Sequence, residues 1–473
     1  MKIKTIMAVI ANVFLISNAV TANEIQAPEV KVQENNPCKE KTFWQTNFTN
    51  GQFNGFYSQM TSSVISNAQH LFANHYFEGS LFNKDLARAL DLYQRAHNRG
   101  NQESTVKLGL VYRYGLSTNK DYKKAIEYYE SIAANNPEAQ FNLGLMHRYG
   151  IGTASNQQQA FYYFKQAASN QVIAKNNCEV EVQGLAEAQF NLGLMHRYGI
   201  GTASNQQQAF NYFKQAASDQ VVAKNNCEVE DKGLAEAQFQ LGQMFRYGLG
   251  VEKNLDQALL WFKEAANQDL KEAQFNAAQL MMTGIGEHYD YDGAMQYYQR
   301  AAEQGLAEAQ LNLAREYHYN NRQKDYLKAH HWYTKAAKQG QVEAEFNLGL
   351  MEHYGHGVYP NYQKALLHYQ KAARFNQPEA FLNIAHIHFY GMGKAKDYLE
   401  AYQYYQMASN YNLSQADYHL GLMNEKGLGT SVDLETAKDY YQRSADQGNE
   451  DAKIALESLP MKEPEDFDYL AMH

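Results

Sequence analysis

One stretch and its copies constrain this chain more than anything else in it. The segment from Glu138 to Thr153 returns letter for letter from Glu187 to Thr202, and diverged copies begin at Glu236, Glu272, Glu308, Glu343, Glu379 and Gln415. Registered on the opening small residue, the copies start at Ala68, Ser104, Ala139, Ala188, Ala237, Ala273, Ala309, Ala344, Ala380 and Ala416, with a last half-copy at Ala452. Successive starts lie 35 or 36 residues apart, except for two steps of 49, which are a standard copy plus an insertion. A period of this length means a stack of supersecondary units, each too small to bury its own apolar face.

Within a copy the periodicity is helical. Ala139, Leu143 and Met146 fall at i, i+4 and i+7, and Ala160, Tyr163, Phe164, Ala167 and Ala168 at i, i+3, i+4, i+7 and i+8. Gly150 and Gly152 separate the two stripes, because glycine readily takes the left-handed conformation that stops a helix. Each copy therefore reads as a helix hairpin, and the chain as an all-α solenoid of ten hairpins with a capping helix at Ala452–Leu456. In the seventh copy Asn320 replaces the first hinge glycine, which predicts a different turn there. The two insertions, near Val172–Gln183 and Val221–Lys232, interrupt the turn between hairpins and should project from the same edge. The near-identity of Glu138–Ala186 and Glu187–Ala235 marks a duplicated block.

The pattern Ala-x-x-x-Leu-Gly followed by Gly-x-Gly, then Ala-x-x-aromatic-aromatic-x-x-Ala-Ala, is well kept at Ala237, Leu241-Gly242, Gly248-x-Gly250, Ala258, Trp261-Phe262 and Ala265-Ala266. It resembles the Sel-one-like repeats, cousins of the tetratricopeptide repeats, over residues 65–458. That resemblance implies a right-handed α/α superhelix acting as an adaptor, often in bacterial envelopes or the eukaryotic secretory pathway. The paired cysteines of the disulfide-rich members are absent, so their stapling does not carry over.

The ends read differently. Lys2 and Lys4, the apolar run from Ile6 to Ile16 and the small residues up to Ala22 form the three regions of a secretory signal, giving residues 1–22 as a signal peptide. Residues 23–64 form a polar lead whose aromatic cluster, Phe43 to Tyr57, is expected to cap the first hairpin. Residues 459–473 are expected to be an acidic disordered tail. The short lysine-led signal, with no later segment long enough to span a bilayer, predicts an exported protein in a bacterial periplasm, with secretion as the further possibility. Removing the two lysines takes the formal charge from -9 to -11, which disfavours nucleic acid and anionic membrane as partners. Cys38, Cys178 and Cys227 leave an odd thiol. Cys178 and Cys227 hold the same place in consecutive insertions, which makes them one candidate disulfide, with Cys38 as the rival partner of either.

On a helical wheel Ala139, Leu143, Met146 and His147 face the partner helix, and Phe141, Leu145, Arg148 and Tyr149 the opposite side. Read across the copies, that side carries an arginine row, Arg113, Arg148, Arg197 and Arg246, each followed by a tyrosine, Tyr114, Tyr149, Tyr198 and Tyr247. Asn142 and Asn191 stand beside them; the similar residue in tetratricopeptide domains, which the family resemblance brings in, reads a peptide backbone. Charge, stacking and carboxamide bonding along a line suit an extended acidic peptide. The alternative reading is that the arginines stack on tyrosines or pair with carboxylates such as Glu138, and that asparagine and aromatics are packing residues. Later copies place His318, His353 and Phe389 at the arginine position. His386 and His388 diverge on a helix, and Gly355 separates His353 from His356, so no metal site is expected, nor any cofactor. No Gly-x-Ser-x-Gly, His-Glu-x-x-His, phosphate loop or EF-hand loop occurs. The sequence reads as a non-enzymatic scaffold for proteins or peptides; a binder of glycan or cell-wall fragments and an envelope hydrolase with a scattered site are the alternatives.

Overall fold

The computed structural model describes residues 53–169, 171–175, 178–182, 184–218, 221–223, 233–284, 289–322 and 324–459. The signal peptide, most of the lead, the tail after Leu459, Cys38 and Cys227 lie outside them, and with Cys227 the candidate disulfide. The chain divides into two compact units, residues 1–252 and 253–473.

The first unit holds α1 (Phe53–Glu78), α2 (Leu86–His97), α3 (Gln102–Tyr114), α4 (Tyr122–Ile132), α5 (Pro137–Tyr149), α6 (Gln157–Ala167), α7 (Ala186–Tyr198), α8 (Gln206–Ala217) and α9 (Ala235–Tyr247). The pairs α1–α2, α3–α4, α5–α6 and α7–α8 are hairpins, and each packs on the next. Helix α1 runs through the boundary expected at residue 64, so the lead passes into the first hairpin without a break. The second unit holds α10 (Leu255–Asn267), α11 (Lys271–Thr283), α12 (Tyr291–Glu303), α13 (Ala307–Tyr319), α14 (Tyr326–Lys338), α15 (Val342–Tyr354), α16 (Tyr362–Ala373), α17 (Pro378–Tyr390), α18 (Tyr398–Ser409), α19 (Ser414–Lys426), α20 (Leu434–Asp446) and α21 (Glu450–Ser458). Here α11–α12, α13–α14, α15–α16, α17–α18 and α19–α20 are the hairpins, and α21 covers the end, burying Ala452 against Ala437, Tyr441 and Ala445. The fold is the all-α repeat array that the sequence predicts.

The core of a hairpin is built on one close approach. Gly144 on α5 faces Phe164 on α6, and a Cβ there would lie 2.6 Å from the ring; Gly109 meets Tyr129, Gly193 meets Phe213 and Gly349 meets Tyr369 in the same way. The missing side chain lets the aromatic lie across the first helix, fully buried; Phe164 packs with Ala188, Leu192 and Met195 of the next repeat, as Tyr129 does with Ala139, Leu143 and Met146. The second helix of every hairpin starts on an aspartate or asparagine, from Asp85, Asp121 and Asn156 to Asp397 and Asp433. Its side chain accepts from a backbone N–H one turn on. Gly150 and its equivalents close the first helix at positive φ, whereas Asn320 ends α13 in an extended conformation, the different turn expected there.

The insertions contain something the helical reading did not assign. Strand β1 (Gln171–Lys175) pairs antiparallel with β2 (Cys178–Val182), and β2 pairs antiparallel with β3 (Val221–Ala223), in the order β1-β2-β3. β3 comes from the second insertion. The two insertions therefore project from one edge, as expected, and are joined by backbone hydrogen bonds.

Candidate functional site

The arginines of α3, α5, α7 and α9 sit in the last helical turn, where the carbonyl end of the helix dipole favours a cation. Each guanidinium lies over the ring of the tyrosine that follows it. The distances from guanidinium carbon to ring centroid are 5.2 Å for Arg113–Tyr114, 5.4 Å for Arg148–Tyr149, and 5.5 Å for both Arg197–Tyr198 and Arg246–Tyr247. The glycine after each tyrosine turns the chain away, leaving the rings 53–62% exposed. Arg113 is buried and the other three are half-buried.

The arginines also bridge repeats. Arg113 Nη1 donates to Asn142 Oδ1 at 3.0 Å, Arg148 donates to Asn191 Oδ1, and Arg197 to Gln240 Oε1. Asn142 and Asn191 in turn donate through Nδ2 to the carbonyl oxygens of Glu138 and Glu187, one turn back on their own helices. Both asparagines are buried with both ends of the carboxamide engaged. They position the arginines; the backbone-reading role expected of them by resemblance needs an exposed amide, which the structure does not give them. Gln240, which sequence reasoning passed over, completes the series.

No carboxylate pairs with Arg113, Arg148 or Arg197 among the described residues, whereas other cations do pair. Arg95 meets Asp91 at 2.9 Å, Arg300 meets Asp269 at 2.7 Å, Arg322 meets Asp292 at 3.2 Å and Arg443 meets the buried Asp417 at 3.1 Å. A neutral carboxamide fixes a guanidinium without cancelling its charge. The acids of the same helices stand at the opposite end. Burial holds the Glu138 carboxyl above the ordinary range; Lys107 opposes that, and Glu103 and Glu187 add to it. Between the two ends lie Phe141, Leu145, Phe190 and Leu194, all half-buried; Phe141 packs on Phe164 and Phe190 on Phe213, each at 5.7 Å, so these rings meet the second helix of their own hairpins and not the opposite side expected of Phe141.

In the second unit the same positions are wired differently. Tyr319 Oη donates to Asn347 Oδ1 at 2.6 Å, the amide that an arginine would otherwise hold. His318 stacks on Tyr319 at 4.1 Å, and its Nε2 lies 3.0 Å from Nδ1 of His356 in the next repeat. Phe389 packs on His419, which occupies the asparagine position, at 5.3 Å. Tyr319, Tyr354 and Tyr390, at the same repeat position as Tyr149, are exposed as well. Among the described residues no three His, Cys, Asp or Glu side chains converge as a metal would require. A shallow hollow of about 790 Å³ opens beside α1 and α2, lined by Tyr76, Phe82, Lys84, Asp85 and Arg88, but Asp85 is already committed to capping α2. No helix among the described residues is long and apolar enough to cross a membrane.

The chain matches the family model of the Sel1 repeat ten times, over residues 66–101, 102–136, 137–172, 186–220, 235–270, 271–306, 307–341, 342–374, 378–410 and 414–449. Among solved structures it is similar to c5321, a protective antigen of uropathogenic Escherichia coli displaying an SLR fold. The two are 27% identical with a TM-score of 0.70, covering 86% of this chain and 82% of that one. It is also similar to a Sel1 repeat protein from Oxalobacter formigenes, at 23% identity and a TM-score of 0.48, covering 71% of this chain and 90% of that one. No curated protein matches it. Proteins built from these repeats generally mediate protein–protein interaction and are typically non-enzymatic scaffolds. With ten consecutive matches over hairpins of the expected form, this chain belongs to the Sel1 repeat family.

Proposed function

We propose that the chain is an exported interaction scaffold that binds an extended acidic segment of a partner protein along the arginine–tyrosine face of α3, α5, α7 and α9. The observation that carries this reading is the way Arg113, Arg148 and Arg197 are held: by neutral carboxamides, with no carboxylate partner among the described residues. On a chain of net charge -9, these form a local line of positive charge beside exposed rings. Carboxylates of a bound segment would complete charge-assisted bonds, and its peptide groups and rings would stack on the tyrosines. The export signal of residues 1–22 supports a periplasmic or secreted site of action. So does the likeness to the Escherichia coli protein described as a protective antigen.

The double variant Arg148→Ala with Arg197→Ala tests it. Charge-assisted bonds contribute about 1.5–3 kcal/mol each, so affinity for a partner captured from envelope extract should fall tenfold or more, and further with added salt. Unchanged affinity in a well-folded double variant would leave the arginines as inter-repeat braces alone. A glycan-binding reading draws on the exposed rings Tyr319, Tyr354 and Tyr390, which hold the same repeat position in copies that lack the arginine. Binding of soluble muropeptides that survives the double variant would favour it.

A further inference from the structure

The chain carries a segment with the chemistry that this face calls for. After Leu459 the sequence runs through Glu463, Glu465, Asp466, Phe467, Asp468, Tyr469 and Leu470, with four acids against the single Lys462 and with Pro460 and Pro464 opposing helix formation. In an extended backbone neighbouring side chains point to opposite sides. Asp466 and Asp468 then share one side, and Phe467 and Tyr469 the other. The face in the first unit has the matching two tracks: the guanidinium–tyrosine row, with Arg148, Tyr149, Arg197 and Tyr198, and alongside it the half-buried apolar row with Phe141 and Leu145.

We propose that residues 460–473 of a second copy of this chain occupy the arginine–tyrosine face, with Asp466 and Asp468 on the guanidinium row and Phe467 and Tyr469 over the apolar row. The inference rests on the reading of that face as a site for acidic peptides. The face belongs to the first compact unit and the segment leaves the second. Donation from another molecule brings the two together with no demand on how the units of one chain are placed. The contact is heterologous, because the surface that gives differs from the surface that receives, so association closes by reciprocal tail exchange or in a ring where the rotation between copies allows it, and runs on head to tail where it does not. Its consequence is regulatory: a partner with an acidic segment must displace the chain's own tail, and partner binding would disperse self-association.

The test uses three proteins, the full chain, the chain ending at Leu459, and the full chain with Arg148→Ala and Arg197→Ala, together with a labelled synthetic peptide of residues 460–473. The peptide should bind the truncated protein. Binding should weaken at least tenfold when Asp466 and Asp468 become Asn, or when the two arginines are replaced. Sedimentation of the full chain should show concentration-dependent association that both the truncation and the arginine variant abolish. A composition-matched scrambled peptide that binds equally well would overturn the assignment to this segment. If the tail peptide fails while an unrelated acidic–aromatic peptide binds through the arginines, this proposal falls and the reading of the face stands; if neither binds, both fall. A full chain that stays monomeric at every concentration, yet binds the free peptide only after truncation, would assign the segment to its own molecule and overturn the second copy as donor.

Discussion

At the scale of single residues the array is set by what is missing at Gly144 and its equivalents. A Cβ at Gly144 would lie 2.6 Å from Phe164 Cε1, inside any real carbon–carbon contact. Four repeats carry Ala73, Ala278, Ala314 or Ala385 at this register instead, all fully buried, so one methyl can be absorbed when the hairpin is built around it. Two branches cannot. Gly144→Val should therefore destabilise the third hairpin by about 1–3 kcal/mol, the usual cost of overpacking. Hydrogen exchange should show the loss at α5 and α6, and unaltered protection there would mean that the helices are not held at this contact. The glycine was visible in the sequence as part of the Leu-Gly step, but its partner was not: the aromatic lies 20 residues on, at Phe164 for Gly144, and no period links the two until the hairpin is folded. The same holds for the arginines. Their shared position was legible, because copies align. Their acceptors lie 29 residues away for Arg113 and 43 for Arg148 and Arg197, and which amide meets which guanidinium is decided only when one repeat stacks on the next.

At the scale of elements, the last hairpins replace charge with neutral rings. His419 on α19 stacks on Tyr405 of α18 at 4.8 Å and meets His386 of α17 at 5.1 Å and Phe389 at 5.3 Å. His419 Nδ1 and His386 Nε2 are buried without a hydrogen-bond partner among the described residues. Burial, and then His386, push the His419 imidazole down to about 3; burial, and then His353 on α15, push His386 down to about 4. Tyr390 and Tyr418 also border the cluster. Both folded values lie below the ordinary 6.5, so as pH falls the unfolded chain takes up these protons first. The stability of α17–α19 is therefore whole above about pH 6.5 and declines as pH drops through 6.5 toward 4 and 3. Exchange at pH 5, corrected for intrinsic rates, should show these helices losing protection relative to α3 and α4, which contain no histidine. His419→Asn, the residue other repeats place there, should flatten the dependence. Equal protection at pH 5 and pH 7 would show that the rings are already solvated. Sequence spacing pointed away from any joint role for these histidines because it was read along one helix; the cluster forms between helices.

At the scale of the whole molecule, the period determines how the fold should fail. Leu192 on α7 is fully buried in a cluster with Ala160, Phe164 and Ala167 of the preceding helix and with Ala188 and Met195 of its own. Its contacts are with neighbouring repeats, as nearest-neighbour stacking requires. The hydrophobic period made this arrangement readable from the chain, since each apolar stripe had to find cover and only adjacent copies offered it. What the period could not convey was the sheet joining the insertions, whose strands lie outside the repeating register, or the assignment of capping to Asp and Asn, a local signal that a wheel does not weigh. Leu192→Ala should cost about 2–5 kcal/mol, the range for a large buried side chain reduced to a methyl. In a domain with one shared core that loss would lower protection everywhere at once. Here it should be steepest in α6, α7 and α8 and fade over the adjoining hairpins, while α19–α21, capped by Ala452 against Tyr441, keep theirs. Hydrogen exchange resolved by peptide reads the gradient directly. Protection that fell equally in α2 and α20 would mean that the chain unfolds as a single cooperative body, and nearest-neighbour stacking would be the wrong account of its stability.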